Sequence, residues 1–84
     1  MDIQTQRIVV KVVRPHQQVP QAIAVGVGIE GCEFEVHALS RLPRRPQAGD
    51  CIEGYVLHDE QRDEFYLEAT RFASEGEYRA QEAS

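Results

Sequence analysis

The stretch Ala22-Ile23-Ala24-Val25-Gly26-Val27-Gly28-Ile29-Glu30-Gly31-Cys32-Glu33-Phe34-Glu35-Val36-His37-Ala38-Leu39 carries two alternations, one on each side of Glu30-Gly31. Successive side chains of an extended chain leave opposite faces. Ile23, Val25, Val27 and Ile29 therefore share one face, and Ala22, Ala24, Gly26 and Gly28 share a nearly bare one. A face that bare lets a neighbouring backbone or bulky side chain approach closely, and its glycines permit the bends that a barrel needs. In the second half Cys32, Phe34, Val36 and Ala38 alternate with Glu33, Glu35 and His37. Glu30-Gly31 reads as a two-residue connection whose glycine takes the positive φ of a tight turn. The pattern predicts a β-hairpin.

Working outward, the run Arg7–Val13 is dense in β-branched residues and meets Pro15, as a first strand does at its end. Cys51–His58 and Glu64–Phe72 read as a fourth and a fifth strand, joined by the polar turn Asp59–Asp63. Five strands in a meander result. After Phe72, Ser74 and Glu77 have the spacing of a capping box, and Glu75 and Arg79 can pair at i,i+4. Gly76 and a single apolar anchor, Tyr78, weaken that helix, so the expectation over 73–84 is a short frayed helix or a disordered acidic tail.

A chain of 84 residues forms one small domain, here 1–72, able to bury about 60–65% of the surface its unfolded form exposes. With no long helix to cover a sheet, the apolar face is hidden by curling. The expected fold is all-β, a five-stranded antiparallel barrel or strongly curled sheet, SH3-like or OB-like. The phrase Pro46–Val56, PQAGDCIEGYV, resembles the G-D-x-φ-x-G-x-φ lead into a strand found in many small barrels, OB-type nucleic-acid modules among them. Gly49 and Asp50 make the turn, and Gly54 lets the strand coil.

Composition narrows the function classes. The net charge is -5, charged residues make up 27% and tryptophan is absent. The start carries Asp2 and breaks its apolar run at Lys11, unlike a signal peptide. No run approaches the roughly 18–20 apolar residues of a membrane span. A cytoplasmic protein is expected, with Cys32 and Cys51 kept as thiols at or near the core.

Arg41, Arg44 and Arg45 stand in a proline-rich loop, Ser40–Asp50, without an acid before Asp50. Such a cluster suits phosphate. Arg7, Lys11 and Arg14 form a second basic group that would join it if the first strand lay alongside. Against nucleic acid stand ten carboxylates between Glu30 and Glu68 and a pI near 5.1, far below the basic range of nucleic-acid domains. For base stacking, Tyr66 is the exposed candidate, whereas Phe65 belongs with Leu67 and Ala69 in the core.

The soft metal ligands, Cys32, Cys51, His16, His37 and His58, form neither a C-x-x-C nor an H-x-x-x-H motif, so no metal or other cofactor is expected. Nor is catalysis, because His37 beside Glu35 is a pH-sensitive pair without an orienting third group. The remaining expectation is a protein-interaction or adaptor module. Its expected contacts are Arg41, Arg44, Arg45 and Arg14, on the loops 14–21 and 40–50, and Tyr66 on the fifth strand, with homodimerisation through an edge strand as a variant. The alternative is an OB-like nucleic-acid binder using loop 41–45.

Overall fold

The computed structural model describes residues 6–16, 21–37 and 42–83. Each predicted run becomes a strand: β1 Gln6–Pro15, β2 Ala22–Val27, β3 Glu33–His37, β4 Cys51–Asp59 and β5 Glu64–Ala73. A short helix, α1 Glu75–Ala80, and a 3-10 turn, Gln81–Ala83, follow. The strands close into a barrel in the order β1-β2-β3-β5-β4, with β4 returning to β1.

That order corrects the meander. β3 pairs with β5 rather than β4, and the two run parallel; the other four junctions are antiparallel. The described end of the segment before β4 lies against β1 rather than beside β3. Gly49 N–H donates to Val12 O at 2.8 Å and Val12 N–H donates to Asp50 O at 2.8 Å, so the loop is stitched to β1 before β4 begins. Closure also leaves no strand among the described residues with one whole edge unpaired, so simple edge-to-edge dimerisation has no complete strand to use.

The core is Val10, Val12, Ala24, Val36, Ile52, Leu67 and Ala69, all at most 2% exposed. Each large member contributes about 1.5–3 kcal/mol by leaving water. The bare face of β2 points into it. A Cβ on Gly26 would stand 2.6 Å from Val10 Cγ2 and 3.3 Å from Val36 Cγ2, so the glycine is the space those two side chains fill. Irregular pairing bends three strands where closure demands it: between Val12 and Arg14, between Ala22 and Ala24, and between Glu53 and Gly54. At Gly54 a Cβ would fall on the Glu68 carbonyl, which is why this coiling point is a glycine.

The hairpin between β2 and β3 is one residue longer than expected. Gly28 N–H donates to Cys32 O at 2.8 Å and Gly31 N–H to Gly28 O at 2.9 Å, leaving Ile29, Glu30 and Gly31 as the loop. Gly31 has φ 95°, the left-handed residue that ends a three-residue hairpin loop. Because the loop takes Ile29 and β3 starts at Glu33, Cys32 lies at the strand's mouth. It is exposed, not near the core, while Cys51 is buried.

The tail is a capped helix. Ser74 accepts from Glu77 N–H, and the Glu77 carboxylate accepts from Ser74 N–H. Arg79 stands 3.8 Å from Glu75 as the i,i+4 spacing predicts. Tyr78 is half-buried, its hydroxyl donating to Gly28 O at 3.4 Å. No described helix is long and apolar enough to cross a membrane.

Candidate functional site

The parallel seam between β3 and β5 is short. Pairing begins at Glu35 with Tyr66 and ends at His37 with Glu68. Upstream of it the two strands part, and a cleft of about 1000 Å³ opens between Cys32–Glu35 on one wall and Asp63–Phe65 on the other. Arg14, Pro15 and His16 at the end of β1 line a further side, and Val25 of β2 lies between. Glu33, Glu35, Asp63 and Glu64 line this space with Arg14 and His16, and each acid has a basic neighbour: Arg14 at Glu33, Arg62 at Glu35 and Glu64, and His58 at Asp63.

Alternation along β3 sends Val36 to the core and Glu35 and His37 outward. Glu35 becomes the centre of an ionic knot. Arg62, in the turn between β4 and β5, donates to both its oxygens at 2.9 and 2.7 Å. His37 lies 3.1 Å and His16 3.6 Å from the same carboxylate. The two-pronged Arg62 contact, followed by the His37 hydrogen bond, lowers the Glu35 pKa from the usual 4.5 to about 2. Arg62 also reaches Glu64 at 2.8 Å, so one guanidinium ties β3 to the start of β5 beside the cleft.

Arg62 is in place because the turn is made for it. The Asp59 side chain accepts from the N–H groups of Gln61 and Arg62 at 3.0 and 3.3 Å, and Asp63 closes the turn at φ 53°. His58 lies 2.9 Å from Asp63.

Two aromatic assignments are reversed by where the strands stop overlapping. Phe65 has the inward parity of Leu67 and Ala69, but it precedes the seam, and no strand covers it; it is 60% exposed. Tyr66 is outward yet half-buried, its ring stacked on His37 with centroids 4.2 Å apart. Phe65 is thus the available aromatic of the cleft, and Tyr66 supports His37.

The predicted arginines are mostly engaged by acids. Arg44 grips Asp50 with two hydrogen bonds, 2.7 and 3.2 Å, and its guanidinium lies 4.1 Å from the Phe72 ring centroid. Asp50 accepts from Gln47 N–H as well, and the Arg44 contact is the larger cause of its lowered pKa. Arg44 therefore folds its own loop. Arg45 is exposed and has no carboxylate within 4 Å among the described residues. Arg41 lies outside the described residues, as do 17–20 of the first predicted loop.

Arg14 turns to Glu33 at 3.5 Å, Lys11 to Glu75 at 2.7 Å and Arg7 to the Tyr55 hydroxyl at 2.6 Å. Each of these residues thus has a partner of its own, although β1 does lie beside the loop before β4. Among the described residues no three His, Cys, Asp or Glu side chains converge as a metal site.

Sequence reasoning missed Arg62 and undervalued Phe65. The signal for Arg62 was Asp59 opening its turn, but nothing local announces that Glu35 lies across the seam. Phe65 could be found only by knowing where β3 begins. Comparison with protein-family models, with curated proteins and with solved structures finds no match to this chain.

Proposed function

We propose that this chain is a non-catalytic protein-interaction module built on an OB-like barrel, and that the cleft between β3 and β5 receives an extended basic segment of a partner protein. The observation that carries this reading is the cleft's lining: Phe65, 60% exposed, beside four acidic residues that outnumber the two arginines, Arg14 and Arg62, holding three of them. An aromatic ring in an acid-lined recess suits lysine and arginine side chains, whose stems are apolar and whose heads seek carboxylates and ring faces. Carboxylates at the rim also speed and select encounters with a basic partner. Arg45 would add contacts outside the cleft, while Arg44 is occupied in holding its loop. A reducing, cytoplasmic setting belongs to the same proposal and agrees with an exposed Cys32.

The strand order favours a second reading. Five strands with β1 joined to β4 and β3 parallel to β5 support an OB-like reading of the barrel, and OB-like barrels bind oligonucleotides on strands 2 and 3 and on the neighbouring loops. The charge weighs against it here, because Arg14 and Arg44 are already held by Glu33 and Asp50 and the acid-lined cleft repels phosphate.

Titration with a capped lysine- and leucine-containing peptide and with single-stranded oligonucleotides separates the two. The module reading expects peptide binding that Phe65→Ala weakens and that Glu33→Lys with Glu64→Lys abolishes. Oligonucleotide binding that falls steeply with salt, without peptide binding, replaces it with the second reading.

A further inference from the structure

The structure points to a second contact surface, away from the cleft. β2 pairs with β1 only over Lys11–Pro15, whereas β4 pairs with it from Gln6 to Lys11. The side of β1 that β2 leaves at Lys11 would be bare at Val9, and it is covered by one side chain. Val9 N–H donates to Gln81 Oε1 at 2.8 Å, and Gln81 Nε2 donates to Val9 O at 2.9 Å. Those are the two bonds that a residue of a neighbouring antiparallel strand exchanges with its partner. The amide of Gln81 is a peptide group in the place of a strand.

The rest of the tail completes the imitation. Glu75 gives a carboxylate to Lys11 at 2.7 Å, and Lys11 Nζ lies 5.1 Å from the Tyr78 ring centroid. Arg7, Val9 and Lys11 alternate with the inward Ile8, Val10 and Val12, so the edge carries a basic, an apolar and a basic position in turn, the apolar one, Val9, being only 6% exposed with the tail in place. The covering itself is held lightly. α1 has six residues and none is buried. A helix so short is marginal alone, and its attachments among the described residues are Gln81 to Val9, Glu75 to Lys11 and to the Cys51 thiol, Glu77 to Arg71, the Tyr78 hydroxyl to Gly28 and the Tyr78 ring beside Lys11.

We propose that the C-terminal tail is a displaceable clasp over the edge of β1, and that the uncovered edge takes an extended acidic segment of another protein as an added strand. Main-chain bonds to Val9, and to Arg7 on the same side, supply the pairing, and acids flanking the centre meet Arg7 and Lys11. A second copy is the wrong occupant. Antiparallel pairing of two β1 edges about Val9 sets Arg7 against Lys11, like charge facing like charge.

The test uses the full chain, as wild type and as Gln81→Ala with Glu75→Ala, against a short capped peptide of alternating threonine and glutamate and against its lysine counterpart. Amide exchange at Val9 reports the clasp. In the double variant Val9 exchanges faster, the acidic peptide binds about ten-fold tighter than to wild type because no tail must first be displaced, and bound peptide protects Val9 and Arg7. Adding Lys11→Glu removes the gain. Unchanged Val9 exchange overturns the clasp. Faster exchange without tighter acidic-peptide binding, an equal gain with the lysine peptide, or dimerisation in place of peptide binding each overturns the proposed occupant. Should the double variant unfold, Gln81→Glu, which keeps an acceptor for Val9 N–H but loses the donor to Val9 O, is read by the same criteria.

Discussion

The cleft between β3 and β5 and the edge of β1 are both places where the sheet's pairing runs out, and the chain treats them oppositely. At β1 a side-chain amide restores the missing backbone bonds at Val9. At the cleft the strands part, no described strand bridges them, and among the described residues Arg62 spans the gap between Glu35 and Glu64. Buried backbone groups must be paired, and at Val9 the backbone would otherwise lie half-sealed beneath the tail. The cleft is open to water, which can satisfy its walls, so side chains there are left for other uses. Incomplete closure thus gives one guarded surface and one available surface.

The largest expected effect separates two positions of β5 with one parity. Leu67 is fully buried and Phe65 is 60% exposed. Leu67→Ala removes core volume and costs about 2–5 kcal/mol in urea unfolding. Phe65→Ala costs under about 0.5 kcal/mol, as surface changes do, yet weakens peptide binding at the cleft. A large stability loss from Phe65→Ala would mean that the cleft is part of the core and the comparison is false.

Next comes Glu35, on which the open side depends. Glu35→Ala deprives Arg62, His37 and His16 of their shared carboxylate, and a loss of about 1.5 kcal/mol is expected for hydrogen bonds to a charged group partly in water. Its pH signature is more specific. The folded-state pKa of Glu35 is about 2 against the usual 4.5. The carboxylate's contribution is therefore complete above about pH 4.5 and is lost as pH falls toward 2. Wild type should lose more stability across that window than Glu35→Gln does. Parallel melting curves for the two proteins would show that the knot does not hold the seam.

On the guarded side, Ser74→Ala removes the cap of α1 and costs the tail about 1 kcal/mol. The effect is local: Val9 amide exchange quickens while the unfolding midpoint of the barrel moves little. If the midpoint falls with the cap, tail and barrel are one cooperative unit rather than a barrel and its clasp.

Much of this was legible in the chain. The strands begin and end within about two residues of their expected limits, apart from the expected end of β3 at Ala38-Leu39, which lies outside the described residues, because periodicity and turn residues are local signals. Ser74 and Glu77 announced the cap, and Gly26, Gly49 and Gly54 announced a close approach, a turn and a coil. What was not legible is long-range. Nothing in Glu64–Phe72 says that it lies parallel to β3, and the overlap of those two strands is what exposes Phe65 and brings Arg62 to Glu35. The arginine loop shows the same limit: a charge reads as available until its acid is located, and Asp50 closes its own loop on Arg44.

Arg44 gives the smallest expected effect and the one that best sharpens this point. Its guanidinium is exposed, and Asp50 keeps the Gln47 N–H as a second donor when Arg44 is gone, so the turn before β4 survives Arg44→Ala. Exposed ion pairs are screened by salt. The variant should melt slightly below wild type in dilute buffer and together with it at high salt, and its affinity for the lysine peptide should be that of wild type, because the cleft lies on other strands. A clear drop in that affinity would bring the arginine loop into the binding surface. The cleft alone would then not account for recognition, and the contrast between an open side and a guarded side would have to include a third region, the loop that leads into β4.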